Sequence, residues 1–252
     1  MKKIVGSWFE FKHHLKAESK YYEPAMVGFS ADQWDYKIRE QAELGMEYLV
    51  LTFSALEEEA FFKTGIYPMS DLPCGDPMDV LLTSADRYGI KVFVSTGFFF
   101  PMSRINEYHQ DEIMNRRLRG MEELYAGYGH HDSFYGWYYP VEPHISGVFP
   151  DHFIHYVNTQ SKLARKFTPH LTIMIAPFGT RDCSCDDRYV RQLEILDVDY
   201  IAYQDEVGVQ KTRTEELPAI FEGLKKAHDR AGKAKLWADI EIFEFEDRPY
   251  KS

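Results

Sequence analysis

Cysteine is scarce in this chain. Only Cys74, Cys183 and Cys185 occur, and an odd count with a Cys-Ser-Cys spacing suits neither a disulfide framework nor a zinc knuckle. Free thiols in a reducing compartment are expected. The neighbours Asp182, Asp186 and Asp187 work against a nucleophilic thiolate at Cys183 or Cys185. Long apolar runs are also missing, so no membrane span is expected. The stretch Met1 to Trp8 has basic residues but no sustained apolar segment of a signal peptide, which points to the cytoplasm. Positive charge is in short supply, with 29 Lys and Arg against 40 Asp and Glu and a formal net charge of -11. That balance argues against a nucleic-acid partner, since phosphate binding needs clustered cations. No Pro/Gly/Ser-rich linker divides the 252 residues, so a single domain over 1–252 is expected.

Short apolar runs alternate with helical patterns along the whole chain. Strands are expected at Ile4–Phe11, Tyr48–Phe53, Ile90–Ser95, Phe134–Glu142, Leu171–Ala176, Tyr200–Gln204 and Lys235–Glu244. Between them, Ser30 and Gln33 form a capping box before a helix that Gly45 ends. Further helices are expected up to Gly89, over about Asn106–Tyr125, over Asp151–Phe167, over Tyr189–Leu196, and after Thr214 as the cap. Strand–helix alternation means parallel βαβ units. No Gly-x-Gly-x-x-Gly turn follows the first strand, which weakens a dinucleotide-binding sheet. The fold class expected is therefore α/β, a TIM-type (β/α) barrel that is incomplete at seven strands. An eighth strand is either absent or hidden between Lys12 and Phe29. An open edge would invite pairing with a second copy.

Acids and aromatic residues recur at the strand ends. In a barrel those ends carry the chemistry. The last strand candidate alternates Leu236, Ala238, Ile240 and Ile242 on one face with Trp237, Asp239, Glu241 and Phe243 on the other. A Glu flanked by two aromatic residues there points to a function, and Asp239 fits a supporting or an ion-pairing role equally. Glu142 sits between Pro140 and Pro143, which restrain its backbone. Trp8, Glu10, Tyr139, His144 and Gln204 complete the set of candidate substrate contacts. Asp205 is open to three readings: a hydrogen bond to substrate, orientation of another acid, or a solvated turn. Paired carboxyls with aromatic faces suit a carbohydrate, because one carboxyl protonates the leaving oxygen and the other attacks carbon or activates water. The adjacent pairs His13-His14 and His130-His131 do not place two rings on one face of a regular element. His152 and His155 read as surface or core residues, so no metal and no cofactor is expected.

The segments Gly6-Ser7-Trp8-Phe9, Gln33-Trp34 with Leu44-Gly45-Met46, Gly136–Glu142, Gln204–Gly208 and Trp237–Phe243 resemble a bacterial family of unknown function grouped with TIM-barrel glycoside hydrolases. The wider resemblance is to retaining glycosidases with an acid/base Glu after the fourth strand and a nucleophile Glu at the seventh. It implies Glu142 and Glu241 as catalytic residues. Val141 stands where those enzymes usually have Asn, so the contact to the sugar 2-hydroxyl would need another donor. Two other readings compete: a non-catalytic carbohydrate-binding barrel, and a metal-dependent sugar isomerase or aldolase built on Glu142, His144, Asp205 and Glu241.

Overall fold

The computed structural model describes residues 3–12 and 25–244. The chain divides into two compact units, Met1–Pro140 and Val141–Ser252.

The first unit runs β1 (Gly6–Phe9), α1 (Ala31–Glu43), β2 (Tyr48–Leu51), β3 (Ala55–Leu56), β4 (Glu59–Ala60), α2 (Pro77–Tyr88), β5 (Lys91–Ser95), α3 (Asp111–Tyr128) and β6 (Phe134–Tyr139). Strands β1, β2, β5 and β6 pair in that order, all parallel, with Gly6 opposite Tyr48, Tyr48 opposite Lys91 and Val92 opposite Phe134. The capping box is present: Ser30 Oγ accepts from the Gln33 amide, and the Gln33 side chain accepts from the Ser30 amide. Helix α2 starts with Asp76 as its cap and Pro77 in its first turn, and stops at Gly89 in the left-handed conformation. The hairpin β3–β4 is not visible in the sequence pattern. Its two turn residues are Glu57 and Glu58, both at positive φ (49° and 65°), where Asn or Gly is the usual signal. Helix α3 begins five residues later than expected, because Met102–Glu107 forms a separate 3₁₀ segment kinked at Arg104.

The second unit runs α4 (Asp151–Phe167), β7 (Thr172–Ile175), α5 (Asp187–Ile195), β8 (Tyr200–Gln204), α6 (Leu217–Ala231) and β9 (Lys235–Asp239). Strands β7, β8 and β9 are parallel neighbours. Helix α6 starts after Glu216 rather than at a Thr214 cap, with Pro218 in its first turn; the Thr214 hydroxyl bonds Glu215 instead. A polar chain crosses the core. His228 Nδ1 donates to the Ala234 carbonyl (2.8 Å), so Nε2 accepts from the Tyr203 hydroxyl (2.8 Å), which meets Tyr189 at 2.5 Å.

The last strand is shorter than the pattern suggests. It ends at Asp239, and Ile240 and Ile242 are exposed (52% and 87%). The physical reason lies in the loop after β8: Asp205 Oδ1 accepts from the Glu241 amide, so the backbone beyond Asp239 follows that loop instead of a strand neighbour. Residues 13–24 lie outside the described residues, and with them the His13-His14 pair and most of the segment proposed to hide a strand. Ala25–Gly28, at its end, is a 3₁₀ turn. Among the described residues no helix is long and apolar enough to cross a membrane.

Candidate functional site

In the second unit, the ends of β8 and β9 and the segment after Val141 bring acids together. Gln204, the last residue of β8, donates from Nε2 to Glu142 Oε2 (2.9 Å). The next residue, Asp205, is buried, and its amide donates to the Asp239 carbonyl at the end of β9 (2.9 Å). Asp205 Oδ1 accepts from the Val207 amide (3.1 Å) and the Glu241 amide (3.3 Å). Asp205 is buried, against a solvated turn, and the bonds its carboxylate accepts come from backbone amides, one of them that of Glu241.

Glu241 is half-buried. Its Oε2 accepts from the Val209 amide (2.8 Å). Burial is the main cause that holds its carboxyl above the usual range; Asp205 and Glu206 push the same way, and the Val209 and Gly208 amides pull against them. Gly208 permits this approach. A Cβ there would overlap the Phe243 carbonyl oxygen and lie 3.0 Å from both Cβ and Oε2 of Glu241.

Sequence reasoning missed Glu206. It is 2% exposed, sits at φ +54°, accepts at Oε2 from the Thr180 amide (2.9 Å), and faces Lys211 Nζ at 3.6 Å. A left-handed, buried Glu leaves no pattern in a sequence. The nearest signal is the Asp-Glu pair directly after an apolar strand. Gly179 also fits tightly: at φ +75° it lies where a Cβ would be 2.7 Å from both His144 Cδ2 and the Ile145 carbonyl. His144 is exposed, 3.5 Å from Asp182, with its ring 5.1 Å from that of Phe178.

The remaining candidates divide between the two units. Trp237 lies tilted on Tyr200 (4.5 Å), the first residue of β8, so its ring leans away from the Gln204 end. Phe243 is half-exposed, and Asp239 closes β9. Trp8, Glu10 and Tyr139 belong to the first unit. Trp8 packs edge-on against Tyr138 (5.0 Å), and Glu10 is half-buried just past β1. Tyr139 is a correction: it is fully buried, which leaves no ring face for a sugar. The proposed metal set of Glu142, His144, Asp205 and Glu241 gains no support, since His144 faces Asp182 and Asp205 bonds backbone amides. Cys183 and Cys185 are free, with sulfurs 3.7 Å apart.

Comparison with solved structures gives the fold. The chain is similar to a candidate α-L-fucosidase from Bacteroides thetaiotaomicron VPI-5482, at TM-score 0.73 and 16% identity, over 94% of this chain and 73% of that one. It is similar to a GH2 β-galacturonidase from Eisenbergiella tayi (TM-score 0.55, 16% identity), over 94% of this chain but 35% of that one. An intracellular xylanase from Thermoanaerobacterium saccharolyticum matches at TM-score 0.52 and 11% identity, over 81% and 67% of the two chains. No curated protein matches by sequence. With four parallel strands in the first unit and three in the second, the described residues hold the seven strands of an incomplete TIM-type (β/α) barrel. The family model for a domain of unknown function, DUF4434, matches residues 4–252, and the chain belongs to that family.

Proposed function

We propose that this protein cleaves O-glycosidic bonds, with Glu142 and Glu241 as its two carboxyl groups. The observation that carries this is the Gln204-Asp205 step at the end of β8. One residue bonds the Glu142 carboxylate and the next bonds the amide of Glu241, so a single strand end holds both acids. The likeness to glycoside hydrolases supports a fold suited to this chemistry.

Glu142 is exposed and acts as the acid/base. Glu241, with one oxygen on backbone amides, acts as the nucleophile of a retaining reaction. In such a reaction the two carboxyls lie about 5–5.5 Å apart, and in an inverting one about 6.5–9.5 Å. A nucleophile must be ionised. Because the Glu241 carboxyl titrates above its ordinary value, the rate falls with acid at a higher pH than an exposed Glu, near about 4.3, would give.

The test is a panel of aryl glycosides and polysaccharides with the wild type, Glu142→Gln and Glu241→Gln. Glu241→Gln should abolish turnover. Glu142→Gln should lose roughly 10²–10⁴-fold, least with the best leaving groups. Oligosaccharide binding with no turnover by the wild type would replace this reading with a carbohydrate-binding barrel. Full activity of Glu241→Gln would remove Glu241 from the mechanism.

A further inference from the structure

The first unit holds a second constellation, at the N-terminal end of β6. Asp79 and Asp86 are seven residues apart, on one face of α2. Asp86 takes the turn that leads into β6: Oδ1 accepts from the Ser133 amide (2.7 Å) and Oδ2 meets His131 Nδ1 (2.7 Å), while the Ser133 hydroxyl donates to the Leu82 carbonyl (3.0 Å). A carboxylate on Nδ1 places the proton there and leaves a lone pair on Nε2. The His131 side chain is only 7% exposed, and its Nε2 has no hydrogen-bond partner. It lies 3.5 Å from Asp79 Oδ1. Two acceptors facing one another at 3.5 Å, one of them on a buried ring, repel unless a proton or a metal cation lies between them. The His130 ring stands 4.2 Å from that of His131, and one ligand atom from each of Asp79, His130 and His131 falls within 4.8 Å of the others.

We infer that Asp79, His130 and His131 bind one divalent transition-metal ion of the zinc class. Bonds of about 2.0–2.1 Å arranged tetrahedrally put neighbouring ligand atoms about 3.3 Å apart, close to the His131–Asp79 separation. Two imidazoles and a carboxylate suit zinc, cobalt or nickel better than calcium or magnesium. Asp86 is the outer carboxylate that orients a ligating histidine. Asp79 and His130 are exposed, and Asp79 also borders a cleft with Lys63, Asp76 and Tyr128, so the remaining coordination positions face solvent. The ion fastens α2 to the turn between α3 and β6. This is the end of a barrel strand that serves stability. Adjacent histidines cannot share a face of a helix or strand, but these two lie in a turn that brings their rings together.

The experiment uses the whole chain, stripped with chelator and reloaded with zinc or cobalt. We expect one ion per chain, a rise in Tm with zinc, and visible cobalt bands of an N/O ligand set. His130→Ala alters an exposed residue and should leave the metal-free Tm unchanged, while Asp79→Asn removes the repulsion at Nε2 and should not lower it. Each should weaken zinc binding at least tenfold. Asp86→Asn should weaken it about 10–100-fold, as outer carboxylates do. Asp132→Asn, exposed and outside the set, should bind as the wild type. Zinc binding that survives both His130→Ala and Asp79→Asn, or a wild type that takes up no zinc, overturns the assignment.

Discussion

Replacing Gly208 by Ala tests how the loop after β8 sets the position of Glu241. Gly208 does not occupy the left-handed region, so its backbone accepts an alanine. All of the cost therefore comes from contact. The added Cβ meets a backbone carbonyl, that of Phe243, and the Cβ and Oε2 of Glu241 at 3.0 Å. A backbone oxygen and a Cβ cannot rotate out of the way. The segment after β9 must retreat by roughly 1 Å, an overpacking that costs about 1–3 kcal/mol. The Glu241 amide bond to Asp205, already 3.3 Å long, breaks first, and the Val209 amide then loses Glu241 Oε2. Urea unfolding should report the stability loss. Hydrogen exchange at the Val209 amide should accelerate roughly tenfold, the equivalent of about 1.4 kcal/mol of local opening. The control is Gly75→Ala, at φ +82° in open space. It should cost about 1–2 kcal/mol of backbone strain and leave Val209 protection unchanged. If Gly208→Ala unfolds with the wild type and Val209 exchanges at the wild-type rate, the loop does not hold Glu241. If glycosidic turnover is measurable, a displacement of this size should lower kcat by about 10²-fold.

Two further changes test other parts of the second unit. Glu206→Gln removes one of the negative charges that push the Glu241 carboxyl up, so Glu241 should titrate at lower pH by ¹³C NMR; an unmoved titration would refute the coupling. Glu206→Ala also leaves the buried Thr180 amide without its acceptor and should cost about 1–3 kcal/mol in urea unfolding. His228 is held below its ordinary value chiefly by burial. The unfolded chain therefore binds this proton first, and the stability that His228 contributes is full above about pH 6.5 and drops as pH falls toward its folded value. His228→Gln should flatten that part of the curve in chemical denaturation between about pH 7 and 5; an unchanged slope would mean that burial of His228 does not shape this part of the curve.

The strand and helix order was legible because each element carries its own period and its own stop. Ser30 with Gln33, Gly89 and Gly232 mark helix ends that depend on neighbours three to five residues away. What could not be read are placements that depend on residues far apart in the chain. Alternation along Lys235–Glu244 put Glu241 on the face of Trp237 and Asp239, and Glu241 does lie near Asp205. The reason is not the pleat. The strand ends at Asp239, and the loop from Asp205 to Val209 draws Glu241 in through two amide-to-carboxylate bonds. Trp237, which does obey the pleat, packs on Tyr200 at the other end of β8. Tyr139 failed for a related reason, since an aromatic residue at a strand end reads the same whether it lines a cleft or fills the core. The histidine pair has its rings 4.2 Å apart, which the sequence pattern did not suggest. The rule that adjacent side chains diverge holds inside a helix or strand, and a turn after α3 is neither. Local periodicity therefore locates the elements, while close approach at Gly208, left-handed Glu206 and the turn at His130 bring the candidate groups together, because each depends on contacts 26 or more residues away in sequence.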